Sequence, residues 1–362
     1  MRVADIFYRR VVKPVLFRFD AEAVHDAVTA AGEVLGRSGP ARKALGRAFC
    51  YEDSRLRRSV AGIEFSNPIG LAAGFDYDGR LAAVLEAVGF GFHTVGTVTA
   101  KAYAGNPPPR LGRLPRSGAL LVNKGFKSEG AAAVARRLDN LASTIVVQKS
   151  VLGVSVGSSN LPEVNTISKA IDDYMVSFDL FKSRDYVRYF ELNISCPNTA
   201  MTESFSQEKN FLKLVRAIAG LKVKQPIFVK MANELGAEAT GKLVKGALDG
   251  GMTGVVLANL IKDRSNRFLN KTEIMKLANM PGNFSGRPAR EGSDRLIAYV
   301  RRKFGRNCVI IGCGGVFSAE DAYEKIRLGA DLVAMVTGLV YKGPGVVREI
   351  NRGLAELTGN RQ

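Results

Sequence analysis

The sequence predicts an α/β fold, a (β/α)8 TIM barrel with a small N-terminal helical extension. Three observations carry the prediction. Eight short β-branched or apolar runs recur along the chain, helical stretches alternate with them, and the first run is not followed by G-x-G-x-x-G. The runs span residues 68–74, 92–98, 151–157, 189–195, 226–232, 254–259, 308–314 and 332–338. Near-continuous apolar strands are what a parallel sheet covered on both faces requires, and eight with intervening helices close into a barrel. An open dinucleotide-binding sheet would place its glycine fingerprint after the first strand, and GLAAGFD lacks that spacing. With 46% hydrophobic and 24% charged residues among 362, the chain carries enough apolar material for a large core.

Residues 1–45 stand outside the repeat and are expected to form the extension, with the barrel over 46–362. Two helices are predicted, over 3–19 and 21–36, with a break at Gly39 and Pro40. In the first, Arg9, Arg10, Lys13 and Arg18 interleave with Phe7, Val11, Val12, Val15, Leu16 and Phe17. Such a helix suits a membrane interface or packing on the barrel with a solvated basic face. Residues 158–182 are long for a connection and are expected to supply a lid or an extra helix.

Composition excludes several functions. No apolar stretch approaches the ~20 residues of a spanning helix, and no cleavable secretory signal is present, which points to the cytoplasm. The four cysteines form no C-x-x-C pair and there are only two histidines, so neither a disulfide framework, a metal site nor histidine catalysis is expected. The net charge of +18 is dispersed along the chain and accompanies no nucleic-acid module, so no nucleic-acid partner is expected.

Barrel enzymes work at the C-terminal ends of their strands. Here those ends carry Gly74, Asp76, Thr97, Thr99, Ser155, Asn193, Ser195, Cys196, Lys230, Asn259, Gly314, Gly315, Thr337 and Gly338. The string from Asn193 to Thr199 is the most informative. Pro197 bends the chain there, so Cys196, Asn193, Asn198 and Thr199 can converge on one ligand, and asparagine amides match a flat ring bearing carbonyl and N–H groups. Alone, without a histidine beside it, Cys196 reads rather as a small buried hydrophobe. Lys230 closes the apolar run PIFVK, either facing a ligand or snorkelling to solvent. The glycines of 312–316 and the Thr-Gly pair at 337–338 end the last two strands, where such barrels bind phosphate; each alone is also an ordinary turn.

The ordered motifs FYRRVVKPVLFRFDAEAVH, NPIGLAAGFD, GFGFHTVGTVT, GNPPPRLGRLP, NKGF, LNISCPNT, FVK, LAN, DRS, FSGRP, IGCGGV and TGLVYKGP span nearly the whole chain. They resemble the dihydroorotate dehydrogenases, particularly the membrane-associated class that uses quinone. The resemblance implies an FMN-bearing barrel that oxidises dihydroorotate to orotate in pyrimidine synthesis and passes electrons to a quinone. It also makes the N-terminal helices a quinone entry in peripheral contact with membrane lipid, at the cytoplasmic face. By position it implies Cys196 as the base, with Asn123, Phe126, Lys127, Asn193, Asn198, Thr199 and Asn259 around the substrate. The FMN positions would be Ala73, Gly74, Thr97, Ser155, Asn193, Lys230, Gly286, Gly314, Gly315, Thr337 and Gly338.

Several residues depart from the family pattern. Cys196 stands where the quinone class has serine, Tyr77 where a lysine is usual, Lys127 and Ser155 where asparagines are usual, and Leu260 where a threonine is usual. The charge lost at Tyr77 is expected to come from Lys127, Lys124 or Lys101. Two rival readings follow from the same departures: a flavin enzyme acting on another dihydropyrimidine-like substrate, and a flavin-binding homologue without turnover.

Overall fold

The computed structural model describes residues 3–142, 151–195 and 204–359. Thirteen strands are present among them: β1 (Arg58–Val60), β2 (Ile63–Phe65), β3 (Ile69–Leu71), β4 (Phe92–Val98), β5 (Leu111–Leu114), β6 (Ala119–Val122), β7 (Val151–Val156), β8 (Tyr189–Asn193), β9 (Ile227–Lys230), β10 (Gly254–Leu257), β11 (Asn283–Gly286), β12 (Val309–Cys313) and β13 (Leu332–Met335). Eight of these, β3, β4, β7, β8, β9, β10, β12 and β13, pair in parallel and close into a barrel, β13 returning to β3. All eight coincide with the runs expected from sequence. Short α1 (Val3–Phe7) and α2 (Lys13–Leu16) are followed by α3 (Ala21–Arg37) and α4 (Gly39–Phe49). The barrel helices used below are α5 (Ala82–Val88), α6 (Ala131–Ala142) and α7 (Ile167–Phe181).

Side chains alternate along the strands, and the barrel interior divides into two chemical layers accordingly. Its lower part is aromatic, with Phe65, Phe92, Tyr189 and Phe228 in one cluster. Edge-on contacts link Phe92 to Phe65 at 5.7 Å and Tyr189 to Phe228 at 5.7 Å. Room for these rings comes from missing side chains: a Cβ on Gly70 would lie 2.2 Å from the Phe92 ring, and one on Gly153 2.1 Å from Tyr189. The β1–β2 hairpin contributes Val60, Ile63 and Phe65 to this same cluster. The upper layer is polar and belongs to the site.

Two local expectations change. Ser38 caps α4, its Oγ accepting from the Ala41 N–H, and Pro40 occupies the first turn of that helix, where its missing N–H costs nothing. Gly39 and Pro40 therefore begin a helix rather than end the helical region. The 158–182 stretch contributes α7, the barrel helix between β7 and β8. An antiparallel sheet of β5, β6 and β11, which the βα repeat does not announce, lies outside the barrel.

Candidate active site

Above the aromatic layer, Thr97, Ser155, Glu191, Asn193 and Lys230 form a hydrogen-bonded chain across neighbouring strands. Asn193 Nδ2 donates to Thr97 Oγ1 at 2.8 Å, and the Thr97 and Ser155 hydroxyls share a bond of 2.9 Å. Ser155 Oγ donates to Glu191 Oε1 at 2.7 Å, and Lys230 Nζ donates to the same oxygen at 3.2 Å. All five residues are buried. Cys313 lies beside this charged pair, and burial pushes its thiol up, leaving it neutral at ordinary pH.

The chain extends to the strand end that precedes Cys196. Asn193 Oδ1 accepts from the Ser195 amide and hydroxyl, and Asn259 Nδ2 donates to the Ser195 hydroxyl at 2.9 Å and carbonyl at 3.2 Å. Two asparagines predicted from sequence thus grip one serine and set where the backbone leaves β8. Cys196, Asn198 and Thr199 lie outside the described residues.

Ala73, Lys230, Asn259, Gly286, Gly314, Gly315, Thr337 and Gly338 line one cleft at the barrel mouth. Gly314 and Gly315 have φ of +124° and +73°, a region closed to most side chains, and a Cβ at Gly315 would sit 2.4 Å from that of Arg290. Small residues bring backbone close to whatever occupies the cleft, Lys230 adds N–H donors from an ammonium group paired with Glu191, and the Thr337 and Ser285 hydroxyls lie 2.8 Å apart at its edge. This donor set fits a planar group that carries phosphate.

A second cavity of about 400 Å³ adjoins the first. Val24 and Val28 of α3, Leu45 and Phe49 of α4, Leu81 at the start of α5, and Val84 and Leu85 within it make its walls apolar. Ser285 and Val336 line both cavities, so they form a common wall. Gly74 faces this apolar cavity rather than the glycine cleft. His25 and Tyr77 stand at its side with ring centres 5.2 Å apart; His25 Nε2 lies 2.8 Å from the Phe75 carbonyl oxygen, and burial lowers the imidazole's proton affinity.

Glu22, in the first turn of α3, draws three cations together. It accepts from Arg110 Nε at 2.8 Å and Lys127 Nζ at 3.3 Å, and ion-pairs with buried Lys124. Burial raises the Glu22 carboxyl, but the bonds from Arg110 and Lys124 outweigh it and hold the group at about 2. Lys124 also lies 5.6 Å from the centre of the Tyr77 ring, whereas Lys101 pairs with Glu163 at an exposed site. Of the three lysines expected to replace the missing charge, Lys124 is therefore the one against Tyr77. Between Lys124 and Lys127, Phe126 takes a left-handed φ of +67°. Asn123 Oδ1 accepts from Asn106 Nδ2 at 3.0 Å. Glu22, Asn106 and Glu191 escaped the sequence reading. Only Glu191 left a signal there, as an acidic residue inside the otherwise apolar strand YFELN.

The family model described as "Dihydroorotate dehydrogenase" matches residues 55–358. The chain belongs to the dihydroorotate dehydrogenase family. It is 37% identical to "Dihydroorotate dehydrogenase (quinone)" of Synechococcus sp. (strain JA-2-3B'a(2-13)), covering 96% of this chain and 93% of the relative. The relative of the same description from Chloroflexus aurantiacus (strain ATCC 29366 / DSM 635 / J-10-fl) is 35% identical over 98% of this chain and 97% of its own. The crystal structure of the Eimeria tenella dihydroorotate dehydrogenase in complex with ferulenol superposes with a TM-score of 0.80 at 26% identity, over 94% of this chain and 92% of that one. These alignments cover nearly the full chain, whereas the family model begins at residue 55.

Proposed function

We propose that this protein oxidises dihydroorotate to orotate on FMN and delivers the electrons to a quinone. The observation that carries the reading is the wall shared by the two cavities: a phosphate-compatible cleft at the barrel mouth abuts an apolar chamber beneath the N-terminal helices. FMN supplies the electron sink for hydride removal. Ala73, Lys230, Gly286, Gly314, Gly315, Thr337 and Gly338 would hold it in the cleft, with Gly74 at the chamber side and Thr97, Ser155 and Asn193 beneath.

The protein's own residues then bind and orient the substrate and move one proton. Asn123, Phe126, Lys127, Asn193, Asn198, Thr199 and Asn259 are assigned to the substrate, where paired amides match the donor and acceptor pattern of the ring. Cys196 is assigned the C5 proton. The proton acceptor is the thiolate, and a thiol with an ordinary pKa near ~8.5, lower beside positive charge, supplies that form far more readily than a serine hydroxyl ionises. Asn193 and Asn259 both grip Ser195, the residue before Cys196 in sequence.

Residues 1–45 are assigned to quinone entry and 46–362 to the FMN barrel. Phe7, Val11, Val15 and Phe19 are exposed at four-residue spacing, with Arg10 and Arg18 exposed alongside. This stripe suits the surface of an anionic membrane. No helix among the described residues is long and apolar enough to cross a membrane. The contact assigned to this stripe is peripheral, at the cytoplasmic face. The test is anaerobic mixing: dihydroorotate should bleach the bound flavin, and a short-chain quinone should restore its colour. A flavin that stays oxidised under dihydroorotate would refute the substrate assignment.

A further inference from the structure

The buried carboxylate of Glu191 has no part in the reading above. It and Lys230 are 2% and 4% exposed, on adjacent strands whose register pairs Asn193 with Lys230. Lys230 lines the glycine cleft, and its ammonium group bonds to Glu191 at 3.2 Å. Packing alone does not require this arrangement, because a buried ion pair stabilises no better than two apolar side chains of similar volume. Its effect is electrical. A lone cation at the base of the cleft would favour any negative charge formed above it; paired with a carboxylate, it leaves the base neutral. The Ser155 hydroxyl donates to the same Glu191 oxygen, so Glu191 is held from two neighbouring strands.

We propose that Glu191 is a positioning residue that cancels the charge of Lys230, keeping the base of the cofactor cleft neutral and the reduction potential of the bound flavin low. The proposal rests on FMN occupying this cleft. It predicts that an anion in the cleft is held more weakly than the lysine alone would suggest.

Glu191→Gln keeps the shape of the side chain and an oxygen for Ser155 while freeing the Lys230 charge. Expected in the FMN-loaded variant is a rise in the two-electron reduction equilibrium of at least tenfold, about 30 mV. Sulfite, whose adduct with flavin is anionic, should bind at least tenfold more tightly. FMN bound with both values unmoved would overturn the proposal. A second measurement uses thermal unfolding without cofactor. Lys230→Met alone strands the buried carboxylate and should lower Tm, and adding Glu191→Gln should recover part of the loss. A double variant no more stable than Lys230→Met would also overturn the pairing. If the wild-type protein takes up no FMN, the functional reading falls and this inference with it; FMN bound with both values unmoved removes the inference alone.

Discussion

Replacing Glu22 by Gln should loosen the contact between the N-terminal helices and the loop that carries Asn123, Phe126 and Lys127. The carboxyl is held at about 2 instead of 4.5, a difference of about 2.5 units, or about 3.4 kcal/mol at ~1.36 kcal/mol per unit. Its partners Arg110, Lys124 and Lys127 have side chains 16%, 6% and 25% exposed, so solvent screens part of this and about 1–2 kcal/mol remains. The sign follows from the depressed value in the folded state. The contribution is complete above about pH 4.5 and is lost as pH falls from there toward about 2. Urea unfolding at pH 6 and pH 3 measures it: the wild-type protein should exceed Glu22→Gln by about 1–2 kcal/mol at pH 6, and the gap should shrink to under about half at pH 3. Equal stability at pH 6, or a gap indifferent to pH, would refute the reasoning.

Cys196→Ala should retain FMN but be reduced by dihydroorotate at least ~100-fold more slowly in stopped flow, the usual contribution of a positioned base; unchanged reduction removes the thiol from the mechanism. Val28→Asp places a charge in the apolar cavity, so the quinone KM should rise by about tenfold or more while reduction by dihydroorotate is unaffected. An unaltered quinone KM would dissociate that cavity from the acceptor. Replacing both Phe7 and Val15 by Asp should reduce co-sedimentation with anionic lipid vesicles, since it interrupts the exposed stripe. Equal sedimentation would place the lipid contact elsewhere.

The barrel was legible because each strand is buried on both faces and therefore reads as an apolar run, a property of the chain itself. The glycine-rich ends of the last two strands were legible for a related reason, as backbone that must approach a ligand leaves small residues in the sequence. Helix α4 was misjudged at Gly39 and Pro40, since proline at a first turn and proline at a break look alike until the Ser38 cap is seen.

The alternation of strand and helix, the set of polar residues at the strand ends and the likeness to one enzyme family are written in the order of the residues. Which charges meet depends on how the chain packs. Glu22 and Lys124 are 102 positions apart, Glu191 and Lys230 are 39 apart, and no local periodicity links either pair. Periodicity records which face of an element is buried, whereas an ion pair depends on where two distant elements come to rest, and only the closed barrel with its helical cover fixes that.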